Sequence, residues 1–217
     1  AFIPIAEETG IIVEISRWVL HQACSAAAAI RKGCEPNFRI AINLSPRDFY
    51  EAEFCNALEQ TLVRTGIPAS AVDLEVTENV MLNELAVGTL SRINALGVKV
   101  VVDDFGTGYS SLQYIKKLPV SAIKIDKGFI DDVTRDPYDQ GIVRAILALG
   151  QTLSLRVIAE GIESEAQWEF LRSLHCDHGQ GYFFHRTLRM DDLVRTIGEV
   201  NQEAPPVRRV IPLRKSV

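Results

Sequence analysis

The chain has 217 residues, 47% of them hydrophobic and 24% charged, enough apolar content for one domain with a real core and too much for a disordered segment. No run approaches roughly eighteen consecutive apolar residues, and Ala1-Phe2-Ile3-Pro4 is not a basic segment leading into an apolar one, so neither a membrane span nor a signal peptide is legible and the default compartment is the cytoplasm. Net charge is −5; Arg208, Arg209, Arg214 and Lys215 oppose only Glu203 in residues 201–217, leaving −8 on residues 1–200, which argues against a groove for a nucleic-acid polymer.

In chain order, a helical pattern fills residues 4–32, with Ile12, Ile15, Val19, Ala23, Ala26 and Ile30 at steps of three or four. Short runs rich in Val and Ile follow at Phe38–Asn43, Val72–Val76, Val98–Asp103, Ala122–Asp126, Leu155–Glu160 and, more weakly, His178–Phe183. Each precedes a helical stretch, one of which carries Ile142, Ile146, Leu149 and Leu153 on one side. The starts lie 34, 26, 24, 33 and 23 residues apart, the length of a strand plus a crossover helix. Runs such as Val98-Lys99-Val100-Val101-Val102 suit a parallel sheet buried on both faces. Trp18 and Trp168 fall within helices and read as packing against a sheet or a partner. Residues 201–217, with Pro205-Pro206, read as a basic tail or linker after a domain spanning 1–200.

Cys24, Cys34, Cys55 and Cys176 are spaced by 10, 21 and 121 residues, which fits neither a zinc pair nor a redox pair; they read as buried thiols. His21, His175, His178 and His185 also lack metal-ligand spacing.

Repeated βα units allow an open doubly wound sheet or a closed (βα)8 barrel. No Gly-rich phosphate loop follows any strand. Instead the strand ends carry Asn43, Glu75 and Glu78, Asp103 and Asp104, Lys124 and Asp126, Glu160 and Glu163, and Gln180. In a barrel these converge on one rim, where such enzymes place their active sites.

Asp103 and Asp104 are adjacent carboxylates at the end of a buried strand, and they repel unless a cation lies between them. One alone would read as a turn or cap residue. Glu75 can ligate directly, whereas Glu78 suits the support of a neighbouring loop or the first turn of a helix. Asn43 offers a carbonyl oxygen, acceptable to Mg2+ or Mn2+. Lys124, between Ile123 and Ile125, must snorkel or face negative charge; it can bind a phosphate oxygen or a nucleophilic water, with Asp126 orienting it or the substrate. A structural ion pair is the alternative. Gly161 lets the backbone turn sharply after Glu160, a strand-end ligand or base. Oxygen donors without histidine favour Mg2+ or Mn2+ over zinc, and so many acids suggest two ions about 3.5–4 Å apart acting on a phosphodiester.

Across nearly all of residues 1–200 the chain resembles the EAL-type cyclic di-GMP phosphodiesterases. The shared motifs are Phe2-Ile3-Pro4-Ile5-Ala6-Glu7-Glu8-Thr9-Gly10, Asn43-Leu44-Ser45, Leu74-Glu75-Val76-Thr77-Glu78, Asp103-Asp104-Phe105-Gly106-Thr107-Gly108-Tyr109-Ser110-Ser111-Leu112, Lys124-Ile125-Asp126 with Phe129-Ile130, Ala159-Glu160-Gly161-Ile162-Glu163 and Gln180-Gly181-Tyr182-Phe183. The resemblance implies an α/β fold, a modified (βα)8 TIM-type barrel with one antiparallel strand, and hydrolysis of cyclic di-GMP to linear pGpG with two Mg2+ or Mn2+ ions. It implies that Asn43, Glu75 and Asp103 ligate one ion, that Asp103 bridges to a second held with Asp104 and Glu160, and that Lys124 positions the water. Glu163 and Gln180 then complete the rim, and Glu78 anchors the loop that begins at Asp103. A homodimer through that loop and the next helix is also implied, as are upstream sensory or diguanylate cyclase-type domains that can anchor the parent protein to a membrane.

Two departures stand out. The namesake Glu-Ala-Leu triplet, which brings a further metal-ligating glutamate and a nearby substrate-binding arginine, is not in this chain, and Thr187 stands where the family usually has proline. Six of eight strands are therefore expected, the N-terminal ones wanting, with an incomplete metal site and, for this stretch of chain taken alone, weak metal binding and slow turnover or none. The alternative function is a catalytically silent domain that binds cyclic di-GMP, but such domains often lose the acids that persist here. An unrelated enolase-like Mg2+ barrel also uses strand-end acids and a lysine, without accounting for the ordered motifs.

Overall fold

The computed structural model describes residues 2–50, 53–82, 84–108, 115, 118–203 and 209–210. The helical pattern at 4–32 is two helices, α1 (Ile3–Thr9) and α2 (Ile12–Gly33), because Gly10 closes the first in the left-handed region at φ 83°. The buried stripe of α2 is Ile12, Ser16, Leu20, Cys24, Ala27 and Ile30, one row over from the expected Ile15, Val19, Ala23 and Ala26. Apolar residues occupy adjacent rows of this helix, and periodicity alone does not choose between them. Trp18 is 57% exposed, so it packs against no sheet within the described chain, whereas Trp168 stacks edge-on against Phe184.

The chain divides into two compact units, Ala1–Val102 with Ser110–Val120 and Asp103–Tyr109 with Ser121–Val217. In the first, β1 (Ile40–Asn43) pairs in parallel with β2 (Val72–Thr77), Ile40 opposite Val72 and Asn43 opposite Glu75. Ile40 and Ile42 are buried while Ala41 and Asn43 are exposed; β2 is buried from Val72 to Val76. Helices α3 (Pro46–Tyr50), α4 (Phe54–Thr65) and α5 (Glu84–Ala95) also belong to this unit. Leu20, Leu58, Leu74, Leu90 and Ile93 are nearly or fully inaccessible, each stabilising the fold by about 1.5–3 kcal/mol.

Strand β3 (Lys99–Phe105) ends in the second unit. There β4 (Ala122–Ile125), β5 (Arg156–Ala159) and β6 (His178–Gln180) run parallel, with Lys124 opposite Ile158 and Ala159 opposite Gly179. Between them lie α6 (Lys127–Asp131), α7 (Pro137–Leu153) and α8 (Glu165–Ser173). Asp136 caps α7 through the Tyr138 N–H at 2.8 Å, with Pro137 in the first turn where its missing N–H costs nothing. The buried residues of α7 are Val143, Ile146 and Gly150, so of its expected stripe only Ile146 is fully buried.

The six sequence-derived strands are present; five are shifted by at most two residues at their ends, and the weak sixth, expected over His178–Phe183, stops three residues early at Gln180. Helix α9 (Met190–Glu203) crosses the expected boundary at 200, and β7 (Arg209–Val210) pairs with β6 inside the stretch read as a tail. A two-residue strand has no readable side-chain period, since its pairing is by backbone alone. Residues 204–208 and 211–217 lie outside the described residues. No helix is long and apolar enough to cross a membrane, among the described residues.

No disulfide joins the four cysteines; Cys24, Cys55 and Cys176 are buried as expected, and Cys34 is half-buried. Burial pushes the Cys24 and Cys176 thiols up to about 11. The native state thus keeps protons that unfolded thiols release near pH 9, and stability should fall as pH rises from about 9 to 11, by at most about 1.4 kcal/mol per thiol per pH unit. Urea melts across this range should show the fall, smaller in Cys176→Ala; an equal fall in both proteins would refute the assignment.

Candidate active site

The ends of β3, β4 and β5 bring four charged side chains together within the second unit. Lys124, 3% exposed, places its ammonium 3.0 Å from Asp103 Oδ1 and forms a second ion pair with Glu160 Oε1. One carboxylate oxygen from each of Asp103, Asp104 and Glu160 lies within 4.8 Å of the other two. Neighbouring strand residues ordinarily point to opposite faces. Asp104 has φ 53°, which breaks that alternation and lets both aspartates serve one cluster. Aspartate is among the few side chains that tolerate this region.

Three carboxylates surround one ammonium, so the cluster retains excess negative charge. The Asp104 carboxyl is held above its usual range, first by burial, then by the charges of Asp103 and Asp126 and a hydrogen bond shared with Asp126; Lys124 opposes the shift. A divalent cation bound among the three would relieve this repulsion. Their all-oxygen donor set fits a hard ion such as Mg2+ or Mn2+.

Asp126 lies just beyond β4 and caps α6 by accepting the Gly128 N–H at 2.9 Å. Glu160 follows β5, its N–H donating to Ile125 O at 3.2 Å. Gly161 adopts φ 68°, and a Cβ there would lie 2.3 Å from Lys127 Cγ, so close approach as well as the turn requires glycine. Glu163 is half exposed and accepts from Lys127 Nζ at 3.0 Å, not from the cluster. Gln180 ends β6, its carbonyl receiving the Ile162 N–H at 3.0 Å.

In the first unit, Asn43 and Glu75 are register partners at the ends of β1 and β2, with Glu75 7% exposed. Glu78, 5% exposed, opens a 3-10 helix (Glu78–Leu82), the first-turn position that is one of its two expected roles. Of the motif that begins at Asp103, Tyr109, Ser110, Ser111 and Leu112 lie outside the described residues.

The sequence reading did not single out Lys127 or Gln167. Lys127 holds Asp131 and Glu163, and Gln167 makes four hydrogen bonds. The second was legible: Ser164-Glu165-Ala166-Gln167 is a capping-box pattern, and both of its reciprocal bonds form.

A parallel α/β fold with an oxygen-donor cluster and a buried lysine at its strand ends defines a class of metal-dependent domain. The EAL domain family model matches residues 1–187, and the chain belongs to that family. It is 42% identical over 198 residues to the bifunctional diguanylate cyclase/cyclic di-GMP phosphodiesterase MucR of Pseudomonas aeruginosa, covering 90% of this chain and 29% of MucR. The solved PaMucR phosphodiesterase in complex with c-di-GMP superimposes with a TM-score of 0.86 at 43% identity, over 88% of this chain and 78% of that one. The manganese/cyclic di-GMP complex of Klebsiella pneumoniae BlrP1 gives a TM-score of 0.68 at 27% identity, over 75% of this chain and 41% of that one. The fold is therefore the α/β, TIM-like fold of EAL structures. The chain spans less than a third of the length of the curated relatives it matches.

Proposed function

We propose that this domain hydrolyses one phosphodiester bond of cyclic di-GMP, giving linear pGpG, with two Mg2+ or Mn2+ ions. The observation that carries the reading is the cluster of Asp103, Asp104 and Glu160 around Lys124; its support is membership of a family whose relatives are named for this activity. Asp103, Asp104 and Glu160 are proposed as ligands on the clustering of their carboxylate oxygens. Asn43 and Glu75 are proposed as ligands on the family resemblance. Bound divalent ions would neutralise phosphate charge and lower the pKa of a water. Lys124, ion-paired with Asp103 and Glu160, donates a hydrogen bond to the attacking water or to the phosphate oxygen that gains charge. In the net reaction the water oxygen bonds to phosphorus, the bond to the 3′ oxygen breaks, and that oxygen leaves with a proton.

The enzyme reading is favoured over silent binding because Glu75, Asp103, Asp104, Lys124 and Glu160 are all retained. On the same resemblance we place the domain in the cytoplasm, as a homodimer within a longer signalling protein, with Glu78, Asp126, Glu163 and Gln180 supporting the substrate or the neighbouring loops. Turnover in H2 18O should yield pGpG with one 18O on its terminal phosphate, read by mass spectrometry. Saturable cyclic di-GMP binding with no labelled product would sink the reading.

A further inference from the structure

Outside the charged cluster, Gln167 is a buried polar side chain of the second unit, 6% exposed. Its Oε1 accepts from the backbone N–H groups of Glu163 at 2.8 Å and Ser164 at 2.9 Å. Its Nε2 donates to the carbonyl of Ile130 at 3.1 Å and to that of Asp131 at 3.2 Å. An amide has two acceptor sites and two N–H donors, and all four are used.

Helix capping explains only part of this arrangement. As the third residue of a capping box, Gln167 needs only the Ser164 N–H, in exchange for the Ser164 hydroxyl on its own N–H at 3.4 Å. The two donations go elsewhere, to carbonyls at the C-terminal end of α6, one of which, that of Ile130, also accepts the Val133 N–H at 3.3 Å. The two segments joined have a common feature. Glu163 and Ser164 close the loop that starts at Glu160, and α6 is the turn of helix that starts directly after the strand carrying Lys124. A second link between these segments, Lys127 to Glu163, is exposed, and such pairs contribute little.

We propose that Gln167 is a positioning residue for the acidic cluster: one buried amide fixes the Glu160 loop to α6, and so holds the Glu160 carboxylate against Lys124 and beside Asp103 and Asp104. It touches neither metal nor substrate. Its leverage is geometric, since misplacement of a reacting group by about 1 Å can cost 100-fold in rate, and partners that orient metal ligands are typically worth 10- to 100-fold in affinity or activity. The inference rests on the metal-dependent hydrolysis proposed above.

Gln167→Glu separates this role from capping. Glutamate serves the capping box as well as glutamine does, so a residue that only caps α8 would give wild-type behaviour. Glutamate has no N–H pair for Ile130 and Asp131, however, and sets a carboxylate oxygen against their carbonyls. Calorimetric titration of the protein with Mn2+ alone should therefore show about 10-fold or more loss of affinity, and kcat at a temperature well below the melting point should fall about 10- to 100-fold with KM little changed. Ser164→Ala removes the hydroxyl of the box and leaves the four amide bonds; it should lower the melting temperature and leave Mn2+ affinity intact. Gln167→Met, uncharged and of similar length, carries the same expectation if the glutamate variant does not fold. Wild-type Mn2+ affinity and kcat in either Gln167 variant would overturn the inference alone. Wild-type protein that binds no Mn2+ would overturn the functional reading, and this inference with it.

Discussion

Asp103→Asn should abolish hydrolysis of cyclic di-GMP while leaving the protein folded. The substitution keeps an oxygen where the Asp104 N–H now donates to Asp103 Oδ1 at 3.1 Å, so the local backbone keeps its partner. What is lost is one negative charge from a cluster in which Asp103 is within reach of Lys124, Asp104 and Glu160 together. Each of those contacts depends on the charge. The fall in kcat should therefore exceed the roughly 10- to 100-fold that follows from losing a residue which merely orients a ligand. Stability should move the other way or not at all, because removing one of three clustered acids relieves repulsion. Near-normal turnover in Asp103→Asn would remove this aspartate from the reaction, and a large drop in melting temperature would make its role structural.

Lys124→Met should have the largest effect on stability. Methionine fills much of the buried stem but leaves Asp103, Asp104 and Glu160 without their ammonium. Truncating one member of a buried ion pair costs about 3–5 kcal/mol. The Asp103 and Glu160 side chains keep 15% and 18% exposure, and water around them pulls the expected cost to the lower end, about 3 kcal/mol. Turnover should be lost as well, since no other buried ammonium pairs with these acids among the described residues. The informative measurement is the melting temperature with and without Mn2+. A divalent ion that binds the native cluster and not the unfolded chain stabilises by mass action; on the proposed function, with the internal cation gone, Lys124→Met should gain more from Mn2+ than wild type does. Wild-type stability in the metal-free variant would show that Lys124 does not neutralise the cluster.

These effects lie at positions that the sequence marks clearly. Buried parallel strands are near-continuous apolar runs, so any charged residue within or directly after one is conspicuous: Lys124 between Ile123 and Ile125, Asp103-Asp104 after Val102, Glu160 after Ala159. The strand positions were legible for the same reason. Less legible were features that side-chain pattern does not encode. The positive φ of Asp104 unites the two aspartates, and Gly10 splits one helical pattern into two helices. The face that α2 buries depends on tertiary contacts choosing between apolar rows, and β7 rests on backbone pairing alone. Gln167 left a readable local signature, but its bonds to Ile130 and Asp131 join residues far apart in the chain, and only the fold brings them together.

A metal titration decides whether the acids around Lys124 are the seat of metal-dependent phosphodiester hydrolysis. The longer signalling protein proposed above, as wild type and as Asp103→Asn, is stripped of metal with a chelator and incubated with cyclic di-GMP at increasing Mn2+, and the nucleotides are separated by chromatography. In the wild type pGpG should rise and saturate with Mn2+, and in the variant none should form. Cyclic di-GMP recovered intact from the wild type at every Mn2+ concentration, despite saturable binding, would contradict that assignment.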